Sequence, residues 1–149
     1  MDEQTILTQA AQRVQAKGKH YAGDLGPEEA HFLLQRHPHA KLVDVRSHPE
    51  LEFSGFVEGC CHIPWKLYPG MVPNPDFDQQ IDANATPEDW IFLLCRTGGR
   101  SEEAAEHLRQ RGFHHAFNIL GGFEGKPDPQ GQRGKTEGWK AAGLPWRHP

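Results

Sequence analysis

Cysteine is scarce in this chain of 149 residues, which carries only Cys60, Cys61 and Cys95. Three thiols cannot build a disulfide framework, and none falls in a C-x-x-C pair, so a stapled secreted scaffold is excluded and a reducing compartment, the cytoplasm, is expected. Long apolar runs are missing as well. Nothing approaches the roughly eighteen apolar residues of a spanning helix, and the polar opening MDEQTILTQAAQRVQAKGKH lacks the basic start and apolar stretch of a secretion signal. No membrane partner is expected. Runs of positive charge are also absent: sixteen Lys and Arg stand against twenty Asp and Glu, for a net charge of -4. That balance argues against nucleic acid as a partner. The ten histidines include His37, His39, His114 and His115 at loop or strand spacings, with no H-E-x-x-H pattern and no cysteine pair. They read as solvated or structural, and no metal is expected.

What remains is an ordinary globular composition, long enough for one domain with one core. Ile6, Leu7, Ala10, Ala11 and Val14 recur at helical spacing and predict a helix over 4–16 that ends near Gly18. Residues 1–18 are therefore expected as a helical extension, with the main domain over 19–149. Pro27 and Glu28 mark the start of a second helix, whose buried face is Ala30, Phe32, Leu33 and Leu34. KLVDVR at 41–46, CCHIP at 60–64, WIFLLC at 90–95 and HAFNIL at 115–120 predict short strands. Helical segments at 49–53, 77–82 and 101–111 lie between them, the last closed by Gly112. The alternation means α/β, and an all-apolar strand such as 90–95 wants cover on both faces, as in the middle of a parallel sheet. The Gly- and Pro-rich stretch 121–135 is expected as a long loop, either a cover over the site entrance with Glu124, Asp128 and Arg133 as candidate contacts or a surface insertion with no role. Trp139, Leu144 and Trp146 are expected to fold back onto the core.

Ligands of open α/β sheets bind beyond the carboxyl ends of the strands, where the apolar strand gives out at Cys95. Arg96, Thr97, Gly98, Gly99 and Arg100 follow, and Ser101 opens a helix with Glu102 and Glu103 in its first turn. Paired glycines let the backbone curl and turn several N–H groups inward, which makes a nest for an anion at the positive end of a helix. Helix N-termini and guanidinium groups also favour a thiolate over a thiol. The alternative, that Cys95 is a core residue in a turn, leaves two cations beside the sulfur without a purpose.

CRTGGRS resembles the active-site loop of rhodanese-like sulfurtransferases. LVDVR, GFVEGCCHIPW, LLCRTGGRS, GGFEG and GLPW match landmarks of that family in order over residues 21–146. The resemblance implies a central parallel sheet of about five strands flanked by helices on both faces. It also implies a cysteine, Cys95, that takes a sulfane sulfur from thiosulfate or a persulfide donor. The persulfide then passes its outer sulfur to cyanide, to a thiol or to a sulfur-accepting protein, with no cofactor. Arg96 through Ser101 would wrap the persulfide, with Arg96 and Arg100 on the oxygens of an anionic donor. Asp44 and Arg46 resemble supports of that loop, and Trp65 is a candidate for the pocket entrance. The chain departs from the family where Gly55, Phe56 and Val57 replace Gly-His-Ile or Gly-His-Val, which touches local support or specificity rather than the nucleophile.

Two rivals follow from the same residues. Cysteine phosphatases place Arg after five intervening residues, whereas Arg100 follows Cys95 after four. The shorter loop loses up to about 3.5 Å of contour, shrinking the cradle from phosphate toward one sulfur. The second rival is a non-catalytic sulfur-carrier or partner-binding module; partner-binding modules usually lose the cysteine, and this chain keeps both it and the arginines. The adjacent Cys60 and Cys61 should point to opposite faces of a strand, one buried and the other not, as packing residues rather than a redox pair.

Overall fold

The computed structural model describes all 149 residues, Met1–Pro149. Helix α1, Glu3–Gln15, starts where the Asp2 carboxylate accepts the Thr5 N–H at 3.0 Å, and it buries Ile6, Ala10 and Val14. Strand β1, Gly23–Leu25, leads into α2, Pro27–Arg36, whose Glu29 reaches back to the Gly26 N–H at 2.8 Å. Next come β2, Lys41–Asp44, α3, His48–Ser54, and β3, Cys61–His62. A small antiparallel hairpin follows, β4, Lys66–Leu67, with β5, Val72–Pro73. The chain continues through α4, Phe77–Asn84, β6, Ile91–Leu94, α5, Gly99–Gln110, and β7, Ala116–Ile119.

Five strands form one sheet in the order β1-β7-β6-β2-β3, with every pair parallel. The apolar run of β6 puts that strand in the middle, and its side chains alternate between two cores. Ile91, Leu93 and Cys95 pack with Ala104, Ala105 and Leu108 of α5 and with Phe77 and Ile81 of α4. Phe92 and Leu94 pack on the other face with Ala10 of α1, Ala30 and Leu33 of α2, and Phe123 and Trp139. Helices therefore cover both faces, and all the strand carboxyl ends lie along one edge.

Some expectations change. The strands are shorter than their apolar runs, and the segment 60–64 keeps only Cys61–His62 as β3. β1 and the β4–β5 hairpin went unpredicted: three residues GDL carry no periodicity, and two-residue strands carry less. α5 begins at Gly99, two residues before the expected Ser101. Trp139 is buried and Leu144 packs against the core, but Trp146 is 37% exposed. It lies edge-on to Phe123 at 5.9 Å, capping the core instead of entering it.

Candidate active site

Cys95 follows β6 directly, held where the Val45 N–H donates to the Leu94 carbonyl at 2.8 Å. Its side chain is 1% exposed. The chain then bends through Gly98, at φ +110°, a left-handed conformation that favours glycine. This bend aims the Gly98 N–H at Cys95 Sγ, 3.0 Å away. Gly98 caps α5, so the sulfur meets the helix at its positive end. Ser101, in the first turn, places its Oγ 3.2 Å from the same sulfur.

Ser101 also opens a buried polar chain. Its Oγ donates to Asn118 Oδ1 at 2.5 Å, Asn118 Nδ2 donates to Asp24 Oδ1 at 3.0 Å, and the Tyr21 hydroxyl donates to the same oxygen at 2.7 Å. Lys17 Nζ lies 2.6 Å from the other Asp24 oxygen. Burial, then the Asp24 carboxylate, raises the Tyr21 hydroxyl above its ordinary range. The sulfur is thus tied across β6, β7 and β1 to the turn that follows α1. Reasoning from sequence missed Asn118 and Asp24, although a polar residue inside HAFNIL was a readable signal, because a buried amide needs a partner.

The two loop arginines already hold carboxylates. Arg100 donates both terminal nitrogens to the two oxygens of Glu50, each at 2.8 Å, in a fork. Glu50 is placed there by the local sequence: Ser47 caps α3, and its N–H and Oγ reach Glu50 Oε1 at 3.0 and 2.8 Å. Burial pushes the Glu50 carboxyl up, but Arg100 and the Ser47 groups outweigh it and hold the carboxyl at about 2. Arg100 is raised in turn, chiefly by Glu50, with the nearby Cys95 and Asp44 adding to it. Arg96 Nε donates to Glu124 Oε2 at 2.8 Å. Burial raises the Glu124 carboxyl, and Ser54, Arg96 and Lys140 reverse the sign.

Asp44 and Arg46 form a fully buried ion pair at 2.7 Å. Arg46 also donates to the Gly55 carbonyl at 2.8 Å, its guanidinium lies 4.3 Å from the centre of the Phe123 ring, and its Nη1 has no partner. This pair ties β2 to the segment 121–125, which is itself laced to the cysteine loop. Phe123 N–H donates to the Cys95 carbonyl at 2.8 Å, and Glu124 and Gly125 N–H donate to Arg96 O at 3.0 and 3.1 Å. Of the loop contacts expected from sequence, Glu124 reaches the site. Asp128 caps its own turn through Gln130 and Gln132, and Arg133 binds the Gly125 carbonyl.

A cavity of about 800 Å³ opens beside the loop, lined by Arg96, Arg100, Glu50 and Glu124 with Phe53, Tyr68 and Met71 among its apolar walls. Trp65 lies elsewhere, lining a separate groove with Phe77 and His107 and donating to Glu103 at 3.1 Å. Cys60 and Cys61 do face opposite cores, but both are half-buried, since β3 is an edge strand two residues long. Burial, then the Asp44 charge, pushes the Cys60 thiol up to about 11. No group of three or more His, Cys, Asp or Glu side chains is placed to hold a metal ion.

A five-stranded parallel α/β sheet with a single cysteine at the carboxyl end of its central strand, under a glycine turn and two arginines, defines a class of cysteine-loop α/β proteins. Comparison with known proteins narrows the class. Residues 27–125 match the rhodanese-like domain, and the chain belongs to that family. The crystal structure of Rv0390 from M. tuberculosis superposes with a TM-score of 0.80 at 36% identity, covering 87% of this chain and all of that one. Thiosulfate sulfurtransferase 16, chloroplastic, of Arabidopsis thaliana is 34% identical over 94 residues, 62% of this chain and 75% of that protein. The polysulfide-sulfur transferase homodimer of Wolinella succinogenes superposes with a TM-score of 0.63 at 25% identity, over 93% of this chain and 86% of that one. Some relatives are longer: the chain spans 35% of the length of one that is 32% identical over 112 residues. No helix is long and apolar enough to cross a membrane.

Proposed function

We propose that the chain, its domain spanning 19–149 after a helical extension over 1–18, is a sulfurtransferase that carries sulfur as a persulfide on Cys95. The observation that carries this reading is the sulfur itself, held at 3.0 Å by the Gly98 N–H at the start of α5. Cys95 attacks the outer sulfur of thiosulfate or of a persulfide. The bond to the donor breaks, and sulfite, or a thiolate, leaves with the electron pair. An acceptor, cyanide or a thiol, then attacks the outer sulfur and returns Cys95 as thiolate. In this scheme the Gly98 N–H steadies the negative sulfur, and the curl over Thr97 and Gly99 makes room for the second sulfur atom. Arg96 and Arg100 face the donor. The partners are a small sulfur donor and an acceptor of low molecular weight or a sulfur-accepting protein, and the setting is the cytoplasm, where free thiols persist.

The test compares two reactions on one preparation, transfer from thiosulfate or glutathione persulfide to cyanide and hydrolysis of p-nitrophenyl phosphate. Turnover in sulfur transfer alone is expected. Hydrolysis without sulfur transfer would make the protein a phosphatase, and activity in neither would leave a binding module.

A further inference from the structure

The cavity beside the cysteine loop, walled by Arg96 and Arg100, joins two features that suit different donors. A small oxyanion such as thiosulfate needs guanidinium groups free to receive its oxygens. Arg100 is not free: its fork is filled by Glu50, and the pair is only 16% and 23% exposed. Glu50 is not a wandering surface group either, because the Ser47 N–H and hydroxyl fix the same carboxylate from behind. With Glu124 on Arg96, the charges that would draw a dianion are cancelled within the protein. The walls are broad and partly apolar, with Phe53 85% and Tyr68 66% exposed and Met71 beside them. A volume of about 800 Å³ exceeds what a three-oxygen sulfonate head requires and lies in the range of sites for organic ligands.

Building on the sulfurtransferase reading, we propose that Glu50 is a specificity-determining residue that occupies the oxyanion position on Arg100, excluding sulfonate-type donors and leaving the site to organic persulfides. The loading step is then Cys95-S⁻ plus R-S-SH giving Cys95-S-SH plus R-S⁻. One sulfur–sulfur bond breaks, another forms, and the displaced thiolate takes the electron pair. The organic group R lies against Phe53, Tyr68 and Met71. With thiosulfate the leaving group is sulfite, and its oxygens have to displace the Glu50 carboxylate before they can reach Arg100. Because Arg100 and Ser47 keep that carboxyl ionised far below neutrality, the plug stays in place at every physiological pH.

The experiment measures the ratio of kcat/KM for thiosulfate to kcat/KM for glutathione persulfide, with cyanide as acceptor. Glu50→Gln keeps the shape and the Ser47 contacts but loses the charge, and it should raise the ratio about tenfold, the equivalent of about 1.4 kcal/mol, mainly by lowering the KM for thiosulfate. Glu50→Asp keeps the charge and withdraws the carboxylate from the fork, so it should move the ratio in the same direction. The change in overall charge is controlled by Glu58→Gln, a residue 76% exposed and paired with Arg147, which should leave the ratio within about twofold of wild type. Thermal melts establish that each variant is folded. A ratio unchanged or lowered in both Glu50 variants would overturn the inference while leaving sulfur transfer intact. If neither donor loads the wild-type protein, the sulfurtransferase reading falls and this inference falls with it.

Discussion

Gly122 offers the sharpest perturbation of the site. Its φ of +65° alone costs a side-chain-bearing L residue about 1–2 kcal/mol. A Cβ there would also lie 2.5 Å from both the Arg96 carbonyl carbon and the Cys95 oxygen, backbone atoms that cannot swing aside. Overpacking of that kind costs a further 1–3 kcal/mol or so. Gly122→Ala is therefore expected to lose about 2–5 kcal/mol. Gly131 supplies the reference: its φ is +79° and a Cβ would meet nothing within 4 Å, so Gly131→Ala should lose only the backbone part, about 1–2 kcal/mol. Equilibrium urea denaturation of the two variants isolates the steric difference. The same clash pries the 123–125 amides from Cys95 and Arg96, so the rate of sulfur loading should fall at least about tenfold in Gly122→Ala and stay near wild type in Gly131→Ala. Equal stability losses in the two variants would refute the idea that segment 121–125 clamps the cysteine loop.

Asp44→Ala should be severe, because it strands the buried Arg46 guanidinium with the Gly55 carbonyl as its remaining oxygen partner. A loss of about 3–5 kcal/mol in chemical denaturation is expected, and a loss within the range of surface substitutions would contradict the burial of the pair. The Glu50 carboxyl is held at about 2 against an ordinary 4.5, so its contribution to stability is complete above about 4.5 and is lost as pH falls toward 2. Melts recorded across that interval should drop more steeply for wild type than for Glu50→Gln, and parallel curves would sink the assignment. Cys60, pushed up to about 11, should react slowly with iodoacetamide at pH 8 and quicken only as the pH nears that value. Labelling at the pace of free cysteine would contradict it.

The sequence was most readable where one property repeats. The apolar run Ile91–Leu94, of strand length and bounded by polar segments, reads as a strand covered on both faces, and that places Cys95 at the sheet's working edge. β1 escaped because GDL is buried through its neighbours rather than through its own pattern: Gly23 is small enough to sit against Ala10, where a Cβ would approach to 2.7 Å. The arginines of CRTGGRS were visible, but their partners were not. Glu50 lies fifty residues from Arg100 and Glu124 twenty-eight from Arg96, and pairing over such separations is set by how elements dock, not by spacing. The Ser101–Asn118–Asp24 chain was hidden for the same reason. Trp65 was misplaced because a residue after a short strand can turn to either side of the sheet edge, and here it turns to Phe77 and His107.

The central claim, that Cys95 carries the transferred sulfur, is met most directly by the intact mass of the protein after exposure to glutathione persulfide or thiosulfate and removal of the donor. Wild type should gain one sulfur atom and lose it again on addition of cyanide, while Cys95→Ser, folded and with a nearly unchanged melting temperature, should gain none. A gain that survives in Cys95→Ser would move the chemistry to Cys60 or Cys61, and no gain in wild type from either donor would contradict the account outright.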